Sequence, residues 1–580
     1  MKKRLKERKH GATPADAPPG IAPQARFRRE TVLLAACVLL LCGIFLGKAY
    51  NIDDPLTVWT AQRIAEHPAD FYGFDVNWYG TLAPMHEIDL NPPGAAYYLA
   101  PFGILFNWHE AALHIAMAFA SVAMILGVYY LARLMNGRPL TAAVFALVSP
   151  GIFVSMGTVM TDVPMTALWV WAIALWLRGL NDERPGYNAA SGVLIGAAVL
   201  VKYFAFSLVP LLFVCTLFSG RRRRLVWLLI PVAALGLFEL YMWRLYGTGH
   251  IWMIAGMAEK YHAETTYNYG RKILTGLTFL SAGAAPALFL APLLWRKRKI
   301  FWAGAAAAAL VTAILKLTGW QPGETQIVFG WGFWIQYGLW LLAGVNIVAL
   351  AVAELRRVRD RDGDAVLLAL WLGGTFFYYV FIHHLVNIRT ILPALPVVAL
   401  LCARRLNRLQ PGVGRKAGRS AIRQAAGENA VFNAAVWPAL AASLALSLCV
   451  AWADISLANS ARTAAGIIAP EKRDGRTWFS GHWGFQYYME ARGAKAIDVN
   501  RRDFQLGDTA VTPLNAANTF LSRPRVTSVD QSFELPVLGW ITTMRTECGA
   551  GFHADIWGPL PFVFGRVPNE RYQVILLGEQ

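Results

Sequence analysis

Residues 31–55 read TVLLAACVLLLCGIFLGKAYNIDDP, and the architecture of the chain follows from them. Twenty predominantly apolar residues, 31–50, run straight into two adjacent carboxylates, Asp53 and Asp54, and a proline. A run of that length matches the roughly 20 residues a helix needs to cross about 30 Å of hydrocarbon. Similar runs recur along a 580-residue chain that is 56% hydrophobic. The chain therefore reads as a polytopic membrane protein. Between the first apolar run and Pro93, residues 51–93 hold Asp53, Asp54, Glu66, Asp70, Asp75, Glu87 and Asp89 against the single Arg63. Basic runs lie elsewhere, at Arg221 to Arg224, Arg296 to Lys299, Arg356 to Arg361 and Arg404 to Arg423. Because Lys and Arg collect on the cytoplasmic side, this sorting predicts an acidic first loop outside and basic connectors inside.

Positive-inside bookkeeping places spans near 31–50, 111–132, 140–157, 163–178, 189–201, 204–218, 225–246, 272–294, 300–317, 327–353, 365–383, 388–403 and 433–452. The expected architecture is an all-α polytopic bundle of about 13 transmembrane helices, with a structured first extracytoplasmic loop and a small C-terminal α/β domain. Residues 1–30, with nine Lys or Arg, read as a disordered basic cytoplasmic tail; 31–452 as the membrane module, its first outer loop at 51–93; and 453–580 as an extracytoplasmic α/β domain. The first span is read as retained, because it is long for a signal peptide and lacks a small-residue cleavage site before Asp53. An odd number of crossings places the N-terminus in the cytoplasm and the C-terminal domain outside a cell (inner) membrane. The pair 189–201 and 204–218 meets at Lys202-Tyr203 and could instead be one long helix, but the basic clusters at Arg178 to Arg184 and Arg221 to Arg224 argue for two. Within the loop, Leu56 to His67 reads as an interfacial helix. The segment Gly94 to Phe106 is too short to cross and reads as re-entrant or interfacial. Near the C-terminus, GFQYYMEARGAKAID predicts a helix from Gly484 to Ala491, a turn at Gly493 and a strand.

The net charge of +18 lies in the predicted cytoplasmic connectors, which points to membrane topology and anionic lipids, not to a nucleic-acid partner. Six cysteines, five of them in or beside apolar runs, form no disulfide framework. No Walker A loop, GxSxG elbow, HExxH pair or CxxC pair occurs, which argues against an ATP-driven pump, a serine hydrolase and a zinc peptidase.

Asp53 and Asp54, where the first span leaves the membrane, are candidate general bases, because burial near apolar surface raises a carboxylate pKa. Asp54 before Pro55 also matches a helix N-cap, a reading that needs no chemistry. Asp162, before Val163-Pro164, carries the same ambiguity. Lys202, Arg271, Lys272, His383, His384 and Arg389 fall near predicted outer ends of spans. Such cations could hold a phosphate-bearing lipid, while snorkelling explains each one singly. Asp53, Asp54, His86, Glu87 and Asp89 offer hard oxygens and imidazole to a divalent cation, although their spacing fits no fixed metal motif and a solvated acidic loop explains them as well.

These residues stand in motifs whose order is informative: IDDP at Ile52 to Pro55, NPPGAAYYLAPF at Asn91 to Phe102, MTDVPM at Met160 to Met165, VLVKY at Val199 to Tyr203 and NIRTILPALP at Asn387 to Pro396. In this order the chain resembles the GT-C superfamily of integral membrane glycosyltransferases, near the protein O-mannosyltransferase (family 39) and lipid A aminoarabinose transferase group, over roughly residues 30–404. The resemblance implies a polyprenyl-phosphate-linked sugar donor, a lipid, glycan or protein acceptor, and hexosyl or pentosyl transfer with inversion on the outer face. It implies Asp54, with Asp53 and Asp162, as catalytic carboxylates. Lys202 and Arg389 match positions near the donor phosphate; His384, Arg271, Asn91 and Tyr97 are further candidate substrate contacts, and Asp53, His86 and Glu87 remain the weak candidates for a divalent metal. Related members often carry His where this chain has Asn91, and Tyr-Leu where it has Thr390-Ile391. The oligosaccharyltransferase signature WWDYG is missing, which argues against en bloc transfer to asparagine.

Two rivals remain at this level. A lipid or solute transporter or flippase would favour ionisable groups near the midplane and inverted repeats. A scaffold for surface-polymer assembly would act through residues 453–580.

Overall fold

The computed structural model describes residues 23–135, 137–264, 268–295, 298–323, 327–409, 419–472, 476–501, 505, 507–515 and 528–576. The expected tail lies outside the described residues up to 22, as do Arg296, Lys297 and most of the basic connector after Leu409.

Among the described residues six helices are long and apolar enough to cross a membrane: Glu110–Leu134, Asp162–Asn181, Arg222–Tyr246, Trp331–Asp360, Gly363–Ile382 and Ala434–Ile468. Shorter apolar helices are Gly94–Leu105, Tyr203–Phe218 and Phe301–Leu317. Several expected spans are broken, for visible reasons. The run 140–157 divides into Pro139–Leu147 and Pro150–Ser155, because Ser149 precedes a proline and leaves the helical region. The Ser443 and Ser447 hydroxyls donate to the Val148 carbonyl beside that break, at 2.7 and 2.8 Å. Side chains from a neighbouring helix thus satisfy backbone at membrane depth. The first run leaves regular helix at Cys42, so Lys48 to Asn51 approach the loop as irregular, buried chain.

The pair around Lys202 is two elements, Pro185–Val199 and Tyr203–Phe218, with Lys202 extended between them (φ −157°, ψ 126°). Across this break the Gly94 amide donates to the Leu200 carbonyl at 2.8 Å. A side chain at Gly94 would put its Cβ 2.5 Å from that oxygen. The Pro-Pro-Gly element therefore closes on the break because it ends in glycine.

The first loop forms the helix Asp54–Glu66 and a hairpin pairing Asp75–Asn77 with Leu82–Pro84. The last helix does not end near 452 but runs to Ile468, carrying the chain into the C-terminal region. There a five-stranded sheet has the order Lys495–Ala496, Thr477–Phe479, Thr509–Pro513, Glu570–Leu576, Ser528–Leu535; the first two pairings are parallel and the others antiparallel. The helix Trp483–Glu490, Gly493 at φ +84° and the strand at 495 follow the local pattern expected from sequence. The core is shared: Tyr50, Leu99, Met160, Ala458, Phe485 and Tyr572 belong to one buried apolar cluster, so loop, bundle and C-terminal sheet fold against one another.

Candidate functional site

The two adjacent carboxylates part company at Ile52. That residue adopts φ +50°, a conformation a β-branched side chain rarely takes, and the surrounding structure holds it there. On one side the Tyr50 amide donates to the Tyr488 hydroxyl at 2.8 Å, and Gly484 packs so closely that a Cβ there would lie 1.9 Å from the Tyr50 carbonyl. On the other, Asp54 is fully buried; its carboxylate accepts from the Asn51 amide (2.9 Å) and the Val159 amide (2.7 Å). Burial pushes the Asp54 carboxyl up to about 7, with the Lys48 charge and the two amides opposing it. Asp54 thus ties the loop to the segment ahead of Asp162 and does not meet Arg389.

Asp53 points the other way. It occupies the N-cap position of the loop helix without bonding its backbone, and its side chain is 32% exposed. Its carboxylate accepts from the Arg389 Nη1 group. Arg389 Nε donates to Asp162 Oδ2 at 3.0 Å, and Lys202 Nζ to Asp162 Oδ1 at 2.6 Å. Four residues from four distant parts of the chain form one line of alternating charge, Asp53, Arg389, Asp162, Lys202, with Asp162 enclosed at its centre. Each arrives by a local device. Asp162 opens the helix Asp162–Asn181, Lys202 sits at the extended break, and Arg389 lies in a single turn whose Asn387 side chain accepts from the Thr390 amide at 2.8 Å.

Asp89 is a further acid that sequence placed only in a loose cluster. It is buried, lies within electrostatic range of Asp53 and Arg389, and accepts from the backbone and side-chain nitrogens of Asn91 at 3.0 and 3.1 Å. Burial pushes its carboxyl up to about 6, against those hydrogen bonds. Asn91 therefore positions Asp89 and makes no bond to the Arg389 line. His482, from the C-terminal region, also feels the Asp53 charge; its ring stands 4.8 Å from that of Trp78, and burial lowers its pKa to about 4. Nothing in the sequence around His482 signals this proximity.

The other residues named from sequence lie further out. Lys272 Nζ donates to the His383 carbonyl at 2.7 Å, the His383 ring stacks on His384 at 4.7 Å, and both Lys202 and Lys272 are within electrostatic range of His383. This sets Lys272 and two imidazole rings beside the ion-pair line. Arg271 lies next to Lys272 at the start of the helix Tyr269–Gly283. Tyr97 is not at the line; its hydroxyl donates to the Pro68 carbonyl and its ring faces Phe71. His86 and Glu87 stand 4.0 Å apart, and His86 stacks on Tyr246 away from Asp53. The weak metal set Asp53, His86 and Glu87 is not brought together, and among the described residues no group of three or more His, Cys, Asp or Glu is poised to hold a metal ion.

A second buried ion pair lies within electrostatic range of Asp54. Lys48 Nζ pairs with Asp454 Oδ2 at 2.7 Å, both side chains fully buried, and His553 Nε2 lies 3.0 Å from Asp454 Oδ1. The Lys48 carbonyl meets His114 Nε2 at 3.0 Å.

Residues 90–243 match the family model described as dolichyl-phosphate-mannose-protein mannosyltransferase, so over this part of the chain the resemblance to membrane glycosyltransferases rests on more than motif order. No curated protein matches the chain. Among solved structures, similarity is found to the oligosaccharyltransferase of Archaeoglobus fulgidus tethered with an acceptor peptide (TM-score 0.44, 16% identity, 80% of this chain and 63% of that one). ArnT from Cupriavidus metallidurans in the apo state gives TM-score 0.40 and 16% identity over 84% of this chain and 93% of that one. The arabinofuranosyltransferase AftD from Mycobacteria gives TM-score 0.40 and 14% identity over 95% of this chain and 40% of that one.

Proposed function

We propose that this chain is a multi-pass membrane glycosyltransferase that moves a sugar from a polyprenyl-phosphate-linked donor to an acceptor hydroxyl at the outer face of the cell membrane. The observation that carries the reading is the line Asp53, Arg389, Asp162, Lys202, in which a partly exposed carboxylate meets one of two cations that a buried carboxylate holds. In the proposed step Asp53 takes the proton of the acceptor O–H. The acceptor oxygen forms its bond to the anomeric carbon with inversion, and the bond from that carbon to the phosphate oxygen breaks. The electron pair leaves with the lipid phosphate, whose added charge Arg389 and Lys202 stabilise. Asp162 keeps both cations aimed at one place. Arriving phosphate competes with Asp53 for Arg389, and a carboxylate released from a guanidinium is a stronger base.

The test is transfer from labelled polyprenyl-phosphate sugars by the purified chain in lipid nanodiscs, followed by release of polyprenyl phosphate. Asp53→Asn is expected to lower the turnover rate by about 10²- to 10⁴-fold, the usual worth of a positioned base. Arg389→Gln should raise the donor KM as well. Wild-type turnover in Asp53→Asn would overturn the assignment.

A further inference from the structure

A cavity of about 970 Å³ opens between the loop helix, the loop hairpin and the C-terminal sheet, on the far side of that helix from Asp54. Trp59, Gln62, Arg63 and Glu66 line it, at the i, i+3, i+4, i+7 spacing of one helical face. The helix whose first residue follows Asp53 therefore presents this face from six residues onward, roughly 9 Å along its axis at ~1.5 Å per residue.

The lining speaks to one chemistry. Four carboxylates face four cations around the rim, so the cavity has no net charge for a polyanion. Arg63 is already paired with Asp70 at 2.6 Å, and Arg476 with Asp508 at 3.2 Å. By contrast, the side chains of Gln62, Glu66 and Asp75 make no hydrogen bond or ion pair among the described residues. Trp59 stands edge-on to Trp78 at 6.1 Å and remains part-exposed beside them. Planar amide and carboxylate groups bind vicinal hydroxyls in pairs, and an aromatic surface receives the C–H face of a sugar ring. A peptide strand would need a free sheet edge. The edge strand Lys495–Ala496 is followed by chain that the hairpin already covers: the Val499 amide donates to the Gly80 carbonyl at 2.8 Å, and Asn77 Nδ2 to the Ile497 carbonyl at 3.0 Å.

We propose that this groove binds a neutral oligosaccharide, the glycan portion of the acceptor, and holds it along the loop helix toward Asp53. The acceptor role rests on the glycosyltransferase reading; the binding of saccharide does not.

The test is titration of the purified full chain in nanodiscs with neutral tetrasaccharides of mannose, glucose or arabinose, and with unstructured peptides of matched size, read by calorimetry. Saccharide binding is expected, weakened at least tenfold by Gln62→Ala and by Trp59→Ala, and unchanged by Asp53→Asn. Gln62→Ala removes no internal hydrogen bond among the described residues, so its effect does not depend on the fold tolerating loss of Trp59. Binding of none of the tetrasaccharides, saccharide binding insensitive to Gln62→Ala, or peptide binding that is sensitive to it, overturns the inference. Transfer that survives Asp53→Asn while saccharide binding stays sensitive to Gln62→Ala overturns the catalytic reading alone.

Discussion

Asp53 and Asp54 show what one backbone dihedral does to neighbouring, chemically identical side chains. The family resemblance favours Asp54, although an acid ahead of a proline also marks a cap, and nothing local says which of two adjacent carboxylates turns outward. The positive φ at Ile52 decides it: Asp54 turns in to two amides, Asp53 out to Arg389. The consequences separate cleanly. Asp54 is held protonated-leaning by burial, its pKa raised to about 7 from an ordinary value near 4. A group raised in the fold contributes stability fully present below its unfolded pKa and lost as pH rises through the folded one. The thermal stability of the wild type relative to Asp54→Asn is therefore expected to fall between about pH 4 and pH 7, measured by unfolding in micelles. Added to that pH-dependent difference, Asp54→Asn should carry a pH-independent penalty of about 1–3 kcal/mol, because its amide nitrogen opposes a backbone donor. Its transfer rate per folded molecule should stay within a few-fold of wild type, unlike that of Asp53→Asn.

At the scale of elements, composition carries most of what can be read. The loop helix, the break at Lys202 and the helix-turn-strand from Trp483 are visible because charge, proline and periodicity agree over each short window. The splitting of 140–157 is written at Ser149-Pro150 but outweighed by apolar content, and the long last helix is hidden because Ala-rich sequence after 452 is neither apolar enough to span nor interrupted enough to stop. Approaches between elements are invisible to any window, and Gly94 is one. Its hydrogen bond to Leu200 holds the Pro-Pro element against the break that displays Lys202. Gly94→Ala places a methyl group 2.5 Å from a backbone oxygen, so the two segments must part. Overpacking of this kind costs about 1–3 kcal/mol. Donor titration is expected to show KM raised roughly tenfold, as a shifted Lys202 would lose about 1.4 kcal/mol of phosphate binding. Circular dichroism should be unchanged. An unchanged KM would detach Lys202 from the donor.

The molecule as a whole brings residues hundreds of positions apart into the site, and this is the part sequence leaves unread. Motif order hints that Asp162 and Arg389 belong together; nothing hints that Asp454, His482 and Gly484 come against the segment from Lys48 to Asp53, with His553 behind Asp454. Yet Gly484 abuts the Tyr50 carbonyl, and Asp454, midway along the last helix, joins Lys48 of the first run to His553 of the C-terminal region. The strain at Ile52 needs such a frame, since an unsupported β-branched residue would leave φ +50°. Deleting the C-terminal region therefore cannot distinguish a scaffold from an enzyme, because it would release Asp53 as surely as it would remove a docking domain. The Lys48–Asp454 pair gives a finer cut. Removing one partner leaves a charge buried and alone, a cost of about 3–5 kcal/mol, whereas replacing both by apolar side chains of similar size is often near neutral. Lys48→Met is thus expected to lower the thermal midpoint and the transfer rate together. Lys48→Met with Asp454→Leu should recover most of the stability. If transfer returns with it, the clamp acts by holding the loop in place. If stability returns and transfer does not, the charge of Lys48 itself is needed near the carboxylates, and the site extends deeper than the line from Asp53 to Lys202.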